Sequence, residues 1–202
     1  MTALARLSAI ALAVLLTGCT TTYVSPVEVT RFTGDQPQVL ASGPIAVVPA
    51  PGVEADSLEL AVFQEAVSRE LHDLGYVVTG DMAQQIAEVS VDRFVEQPGY
   101  HRSPVSVGVG AGASSGGGWY GGSGAGVGVG IDLSGPPPDR YNTELRVMIK
   151  PAGGGLALWE GRARFTATAN SEMAETGAAA TKLADALFAG FPGQSGETIE
   201  VK

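Results

Sequence analysis

Residues 141–167 read YNTELRVMIKPAGGGLALWEGRARFTA, and this stretch decides the fold. Tyr141, Thr143, Leu145, Val147 and Ile149 alternate with Asn142, Glu144, Arg146, Met148 and Lys150. A period of two places the first set on one face of a strand and the second on the other. Gly153-Gly154-Gly155 marks a turn, and Trp159, Ala163, Phe165 and Ala167 then alternate with Glu160, Arg162, Arg164 and Thr166. The pattern predicts a β-hairpin with a long second strand, one face apolar and one charged.

Helical periodicity flanks the hairpin. Downstream, Met173, Gly177, Ala180, Ala184, Leu187 and Phe188 form a stripe from about Glu172, ending at Gly190 and Pro192; Glu197 to Val201 read as a short edge strand. Upstream, Ile45-Ala46-Val47-Val48, closed by Pro49 and Pro51, reads as a strand. Asp56, with Glu59 three residues on, predicts an N-cap and capping box for a helix whose stripe is Leu60, Phe63, Val67, Leu71 and Leu74 and whose stop is Gly75. Tyr76-Val77-Val78 then reads as a strand. Ala87, Val89 and Val91 alternate with Glu88, Ser90 and Asp92 in the next one, and Phe94, out of phase, predicts a bulge or the strand end. Two amphipathic helices cover one face of a sheet. The expected fold is α+β: a two-layer sandwich, its largely antiparallel sheet of four to six strands carrying two helices on one face.

Residues 105–138 form a glycine-rich insertion. Val107-Gly108-Val109-Gly110 opens it and Gly126-Val127-Gly128-Val129-Gly130 closes its repetitive part, with Trp119-Tyr120 near the middle; Pro136-Pro137-Pro138 follows as an extended connector. Valine at period two predicts a hairpin with Val on one face and Gly on the other. Trp119 and Tyr120, at its tip, either fold back over the sheet or contact a partner, glycan or membrane headgroups, since both side chains suit half-wet interfaces.

The N-terminus reads as a processing signal. Arg6 supplies positive charge, and Leu7, Ile10, Leu12, Val14, Leu15 and Leu16 form an apolar run shorter than the roughly 20 residues a membrane-spanning helix needs. Leu16-Thr17-Gly18-Cys19 resembles the lipobox of bacterial lipoproteins. The resemblance implies that residues 1–18 are removed and that Cys19, the chain's one cysteine, carries acyl chains. The alternatives are an ordinary signal peptide followed by a chance cysteine, or a buried thiol. At about 0.8 kcal/mol per buried methylene, three long chains supply on the order of 30 kcal/mol of anchoring. Thr20, where Asp would favour inner-membrane retention in Gram-negative bacteria, implies the outer membrane. Residues 19–43 then read as the lipidated Cys and a tether, in which Val27 and Val29 allow a short strand within 24–32, and 44–202 as a single domain.

Composition excludes several functions. The chain has 202 residues, one domain's worth, and a net charge of −9, so a phosphate-backbone partner is not expected and no nucleic acid is implied. One Cys and two His leave little for a metal site or His-based catalysis. Gly108 to Ala113 fit G-x-G-x-x-A, but Ser114-Ser115-Gly116-Gly117-Gly118 cannot open the helix that a dinucleotide loop needs. His72 and His101 have no ligand-spaced partner. Glu54, Asp56, Glu59, Glu65, Glu70 and Asp73 read as a solvated face of the first helix or an acidic partner surface. No catalytic, metal or cofactor residue is expected.

The order of these parts resembles the DUF4136 family of bacterial lipoproteins, a domain of unknown function. The shared features are the Cys19 lipobox, Leu71-His72-Asp73-Leu74-Gly75-Tyr76 closing the first helix, the glycine- and aromatic-rich insertion, Leu158-Trp159-Glu160-Gly161, and Leu187-Phe188-Ala189-Gly190-Phe191-Pro192. The resemblance covers roughly residues 19–193 and implies a location and fold more than an activity. The expected function is a non-enzymatic envelope lipoprotein on the periplasmic side of the outer membrane, held by its acyl chains and binding another envelope protein or a glycan. The alternative is a carrier of a small envelope lipid or glycan.

Overall fold

The computed structural model describes residues 22–98, 105–111, 125–131 and 137–202. The chain forms two compact units, 1–96 with 139–202, and 97–138. In the first, β1 (Val27–Thr33) and β2 (Pro44–Pro49) precede helix α1 (Leu58–Asp73), β3 (Val77–Val78) and β4 (Gln85–Glu96). In the second, β5 (Val105–Ala111) and β6 (Ala125–Ile131) pair antiparallel. Back in the first follow β7 (Arg140–Pro151), β8 (Trp159–Thr168), helix α2 (Thr176–Phe188) and β9 (Thr198–Val201).

The sheet of the first unit corrects the expectation of four to six largely antiparallel strands. It has seven, in the order β3-β2-β4-β7-β8-β1-β9, and it is mixed: β2 runs parallel to both β3 and β4, while the other neighbours are antiparallel. The class is still α+β. The parallel pairs arise because α1 carries the chain back before it re-enters the sheet, and strand direction leaves no trace in a period-two pattern. The extra strands come from short segments at the sheet margin. β1 lies inside the stretch expected to be a tether, where it pairs on both sides, with β8 and β9.

Three local expectations also change. Ser57, not Asp56, caps α1: its Oγ accepts from the Leu60 N–H at 3.3 Å. The β4–β7 ladder runs unbroken from Gln85–Pro151 to Glu96–Arg140, so Phe94 marks no bulge and is simply an aromatic on the outward face. A 3-10 turn at Glu172–Ala174, capped by Ser171, precedes α2, and Gly177 is exposed while Ala179, Leu183 and Ala186 join the buried stripe. Gly75 does end α1 in the left-handed region, at φ +102.

Both helices pack on the same face of the sheet, and the core lies between. Val27, Val29, Ala87, Val89, Leu145, Val147, Ile149, Ala163 and Phe165 point into it from the strands, Phe63, Val67, Leu71, Leu183 and Leu187 from the helices. Trp159 organises one side. Its ring stacks on Phe188 at 5.4 Å and meets Phe191 at 5.0 Å, and its indole N–H donates to the Pro192 carbonyl at 2.9 Å. Among the described residues, Arg31 is the charged side chain buried at an inward position. It is 5% exposed, and its Nε and Nη2 donate to the Leu187 and Ala186 carbonyls, each at 2.9 Å. Those last-turn carbonyls lack helical donors and carry the negative end of the helix dipole, so a buried cation fits there. Burial lowers the guanidinium pKa, opposed in part by Glu197.

In the second unit the register sets Val107 opposite Val129, Gly108 opposite Gly128, Val109 opposite Val127 and Gly110 opposite Gly126.

The Trp159 ring lies over Gly161, two residues on along the same strand face. A Cβ at Gly161 would overlap that ring and come within 2.8 Å of Leu187 Cδ1. Gly161→Ala is therefore expected to destabilise the domain by roughly 1–3 kcal/mol, as overpacking does. Gly153→Ala, where nothing lies within 4 Å, is expected to change it by no more than about 0.5 kcal/mol. Urea unfolding followed by circular dichroism checks both.

Candidate functional site

Among the described residues of the first unit, nothing packs on the face of the sheet turned away from the helices, and that face carries alternating charges. Glu28 on β1 pairs with Arg164 on β8, whose Nε and Nη2 reach the same carboxylate oxygen at 2.8 and 2.5 Å. Glu144 on β7 accepts from Arg146 Nε at 2.5 Å and lies 3.3 Å from Arg162 Nε. Lys150 pairs with Glu88, and Arg146 also reaches Asp92 at 3.7 Å. The bond to Glu144 raises the Arg146 pKa above its ordinary value. Opposite charges directly across or diagonal on neighbouring strands are the sheet's own stabilising pairs.

At one end of this face lies a groove of about 420 Å³, lined by Tyr23, Ser25, Glu28, Phe94, Asn142, Glu144, Arg164 and Thr166 among others. Backbone hydrogen bonds build it. Tyr23 N–H donates to Thr168 Oγ1 at 3.0 Å and Thr168 N–H returns to the Tyr23 carbonyl at 2.9 Å. Ser25 N–H donates to the Thr166 carbonyl at 2.8 Å, and Thr166 N–H to Ser25 Oγ at 2.9 Å. Ser25, Thr166, Asn142 and Phe94 thus form one cross-strand row, and Val24, Ala167, Tyr141 and Val95 the next. Thr166 Oγ1 donates to Asn142 Oδ1 at 2.6 Å. The groove offers aromatic surface, hydroxyls, an amide and paired charges. Its Glu28 and Glu144 are each paired with arginines.

The residues singled out from sequence fall elsewhere. Leu16, Thr17, Gly18, Cys19, His101, Trp119 and Tyr120 lie outside the described residues. Gly108 and Gly110 sit in strand β5, not in a loop opening a helix. His72 is on the exposed last turn of α1, its Nδ1 3.4 Å from Asp73. Of the acidic cluster, Glu59 pairs with Arg93 at 3.2 Å. Arg93 also donates to Thr176 Oγ1 at 2.8 Å and to the Ala174 carbonyl, and stacks over the Tyr141 ring at 4.7 Å, so it ties α1, α2 and β7 together. Among the described residues no cluster of His, Cys, Asp and Glu is placed to hold a metal ion, and no helix is long and apolar enough to cross a membrane. Sequence reading missed the groove because Tyr23, Ser25 and Glu28 are 136 or more residues from the β8 partners they meet.

No family model matches the chain. An uncharacterized protein of Zymomonas mobilis is 39% identical over 64 residues, 32% of this chain and 24% of that protein. The chain therefore spans about a quarter of that relative's length. Among solved structures, a PDZ domain protein from Parabacteroides distasonis is 14% identical with a TM-score of 0.48, over 96% of this chain and 41% of the other. A PelC dodecamer from Paraburkholderia phytofirmans is 10% identical with a TM-score of 0.42, over 83% of this chain and 94% of the other.

One acid of the α1 cluster stands apart. Glu70, beside the buried stripe, faces Asp185 on α2, and desolvation with the hydrogen bond and charge of Asp185 raises its pKa to about 7; Asp73 adds to this and Arg69 opposes it. The folded state holds this proton more tightly than the unfolded chain. The stabilisation is complete below the ordinary carboxyl range near 4.5 and is lost as pH rises through 7. Glu70→Gln, a permanent donor to Asp185, is expected to remove that loss. Because solvent reaches the pair, the gain above pH 7.5 is expected to be about 1 kcal/mol, read from thermal melts of both proteins between pH 4.5 and 8.5.

Proposed function

We propose that the chain is a membrane-anchored lipoprotein of the bacterial envelope, a non-catalytic binding or structural module facing the periplasm. The observation that carries this is Leu16-Thr17-Gly18-Cys19 directly after a short apolar leader. Cys19 accepts the acyl chains, and Thr20 favours delivery to the outer membrane. The resemblance to DUF4136 lipoproteins supports the same address. The paired charges of the open sheet face favour binding over turnover, and Trp119 and Tyr120 are the residues proposed to contact another envelope protein or a glycan.

A second reading, a carrier of a small envelope lipid or glycan, is favoured by the groove beside Tyr23 and Phe94, whose volume of about 420 Å³ falls in the range of small-molecule sites. Under that reading, envelope glycans or lipids raise the melting temperature of the wild-type protein and not of Asn142→Ala.

The anchor has a direct test. Protein recovered from cells is expected to begin at Cys19 with a mass increased by its acyl chains and to sediment with membranes. Cys19→Ser is expected to stay in the soluble fraction. An unmodified thiol behind an intact leader overturns the reading.

A further inference from the structure

Acylation of Cys19 would fix more than an address, because the chain joins the sheet almost at once. The first described hydrogen bonds are those of Tyr23 to Thr168, four residues beyond Cys19. A fully extended chain spans at most about 3.6 Å per residue, so Tyr23 lies no more than about 14 Å from the acylated residue. On the proposal that Cys19 is acylated, this holds one end of the sheet at the bilayer surface. That end has the chemistry of a membrane interface. Tyr23 is 51% exposed, Phe94 62%, Val95 47% and Val24 36%; the registers place Tyr23 and Phe94 on the outward face of that end and Val24 and Val95 on its helix-side face, so the end is apolar on both sides. The Arg140 guanidinium sits 6.0 Å over the Tyr23 ring, and Glu96 lies opposite Arg140 in the ladder. Aromatic rings and a long cationic side chain over apolar surface are what the headgroup region accommodates.

We infer that the sheet end formed by Tyr23, Val24, Phe94, Val95 and Arg140 docks on the lipid surface that holds the acylated cysteine. The occupant is lipid because the leash leaves this patch within reach of the headgroups. The contact is apolar rather than electrostatic, since a chain of net charge −9 gains nothing from anionic lipid. The opposite end of β4 begins at Gln85, about 36 Å away along the strand, so Met82 and Leu156 stand clear of the bilayer although both are exposed.

The test uses the full chain, acylated in cells and reconstituted in vesicles of phosphatidylethanolamine and phosphatidylglycerol. With Cys19 acylated, a single introduced cysteine takes an environment-sensitive fluorophore: Tyr23→Cys, Phe94→Cys, Met82→Cys or Leu156→Cys. All four sites are exposed, so the core is undisturbed. Vesicles are expected to cut iodide quenching at positions 23 and 94 by at least about twofold, at low and high salt alike, and to leave 82 and 156 unchanged. Equal quenching at all four sites on protein that floats with the vesicles overturns docking and leaves the anchor standing. Protection at 82 and 156 equal to that at 23 and 94 also overturns it, as the sheet would then lie flat. Protection that needs whole envelope extract, and not pure lipid, assigns the patch to a protein instead. Protein that does not float, with an unmodified Cys19 by mass spectrometry, overturns the anchor and docking together.

Discussion

Trp159 on β8 is the residue around which the helical layer is fixed. Its ring needs Gly161 beneath it, Phe188 and Phe191 against it and the Pro192 carbonyl at its N–H. Together with Arg31, which takes up the last carbonyls of α2, it pins the C-terminal end of that helix to the sheet. Once α2 is held, α1 packs beside it and one face of the sheet is sealed. Among the described residues of this unit, the other face is shaped by strand alternation alone. Its charges therefore pair among themselves: Glu28 with Arg164, Glu144 with Arg146 and Arg162, Glu88 with Lys150.

The same strand does a second job at its far end. Thr166 and Thr168 receive the N-terminal segment through Ser25 and Tyr23, and the groove opens where Phe94 and Asn142 complete that row. A chain entering the sheet at Tyr23 leaves little slack behind any anchor at Cys19. A long flexible tether would let a domain sample all orientations, and a four-residue link does not.

What was legible in the sequence is what local periodicity encodes. Leu145, Val147 and Ile149 announced a strand with one buried face, and Leu60, Phe63, Val67 and Leu71 a helix with one buried stripe. What was not legible depends on partners distant in sequence. The parallel pairing of β2 with β4 is a matter of chain direction. Val27, Val29 and Arg31 share one alternating phase, which marks Arg31 as inward, but its acceptors lie about 155 residues later on α2. Glu70 looks like any helix-surface acid until Asp185 is brought opposite. The groove was invisible for the same reason. It is assembled from β4, β7, β8 and a segment whose Gly, Pro and Thr content reads as a linker.

The sheet takes up the chain at Tyr23, through its bonds to Thr168. Native-state hydrogen exchange read residue by residue tests it most directly. The amides of Tyr23, Ser25, Thr166 and Thr168 are predicted to be protected together, as members of the sheet. Exchange of Tyr23 and Ser25 at the rate of an unstructured chain, beside a protected β1, would contradict it and restore a long, loose leash.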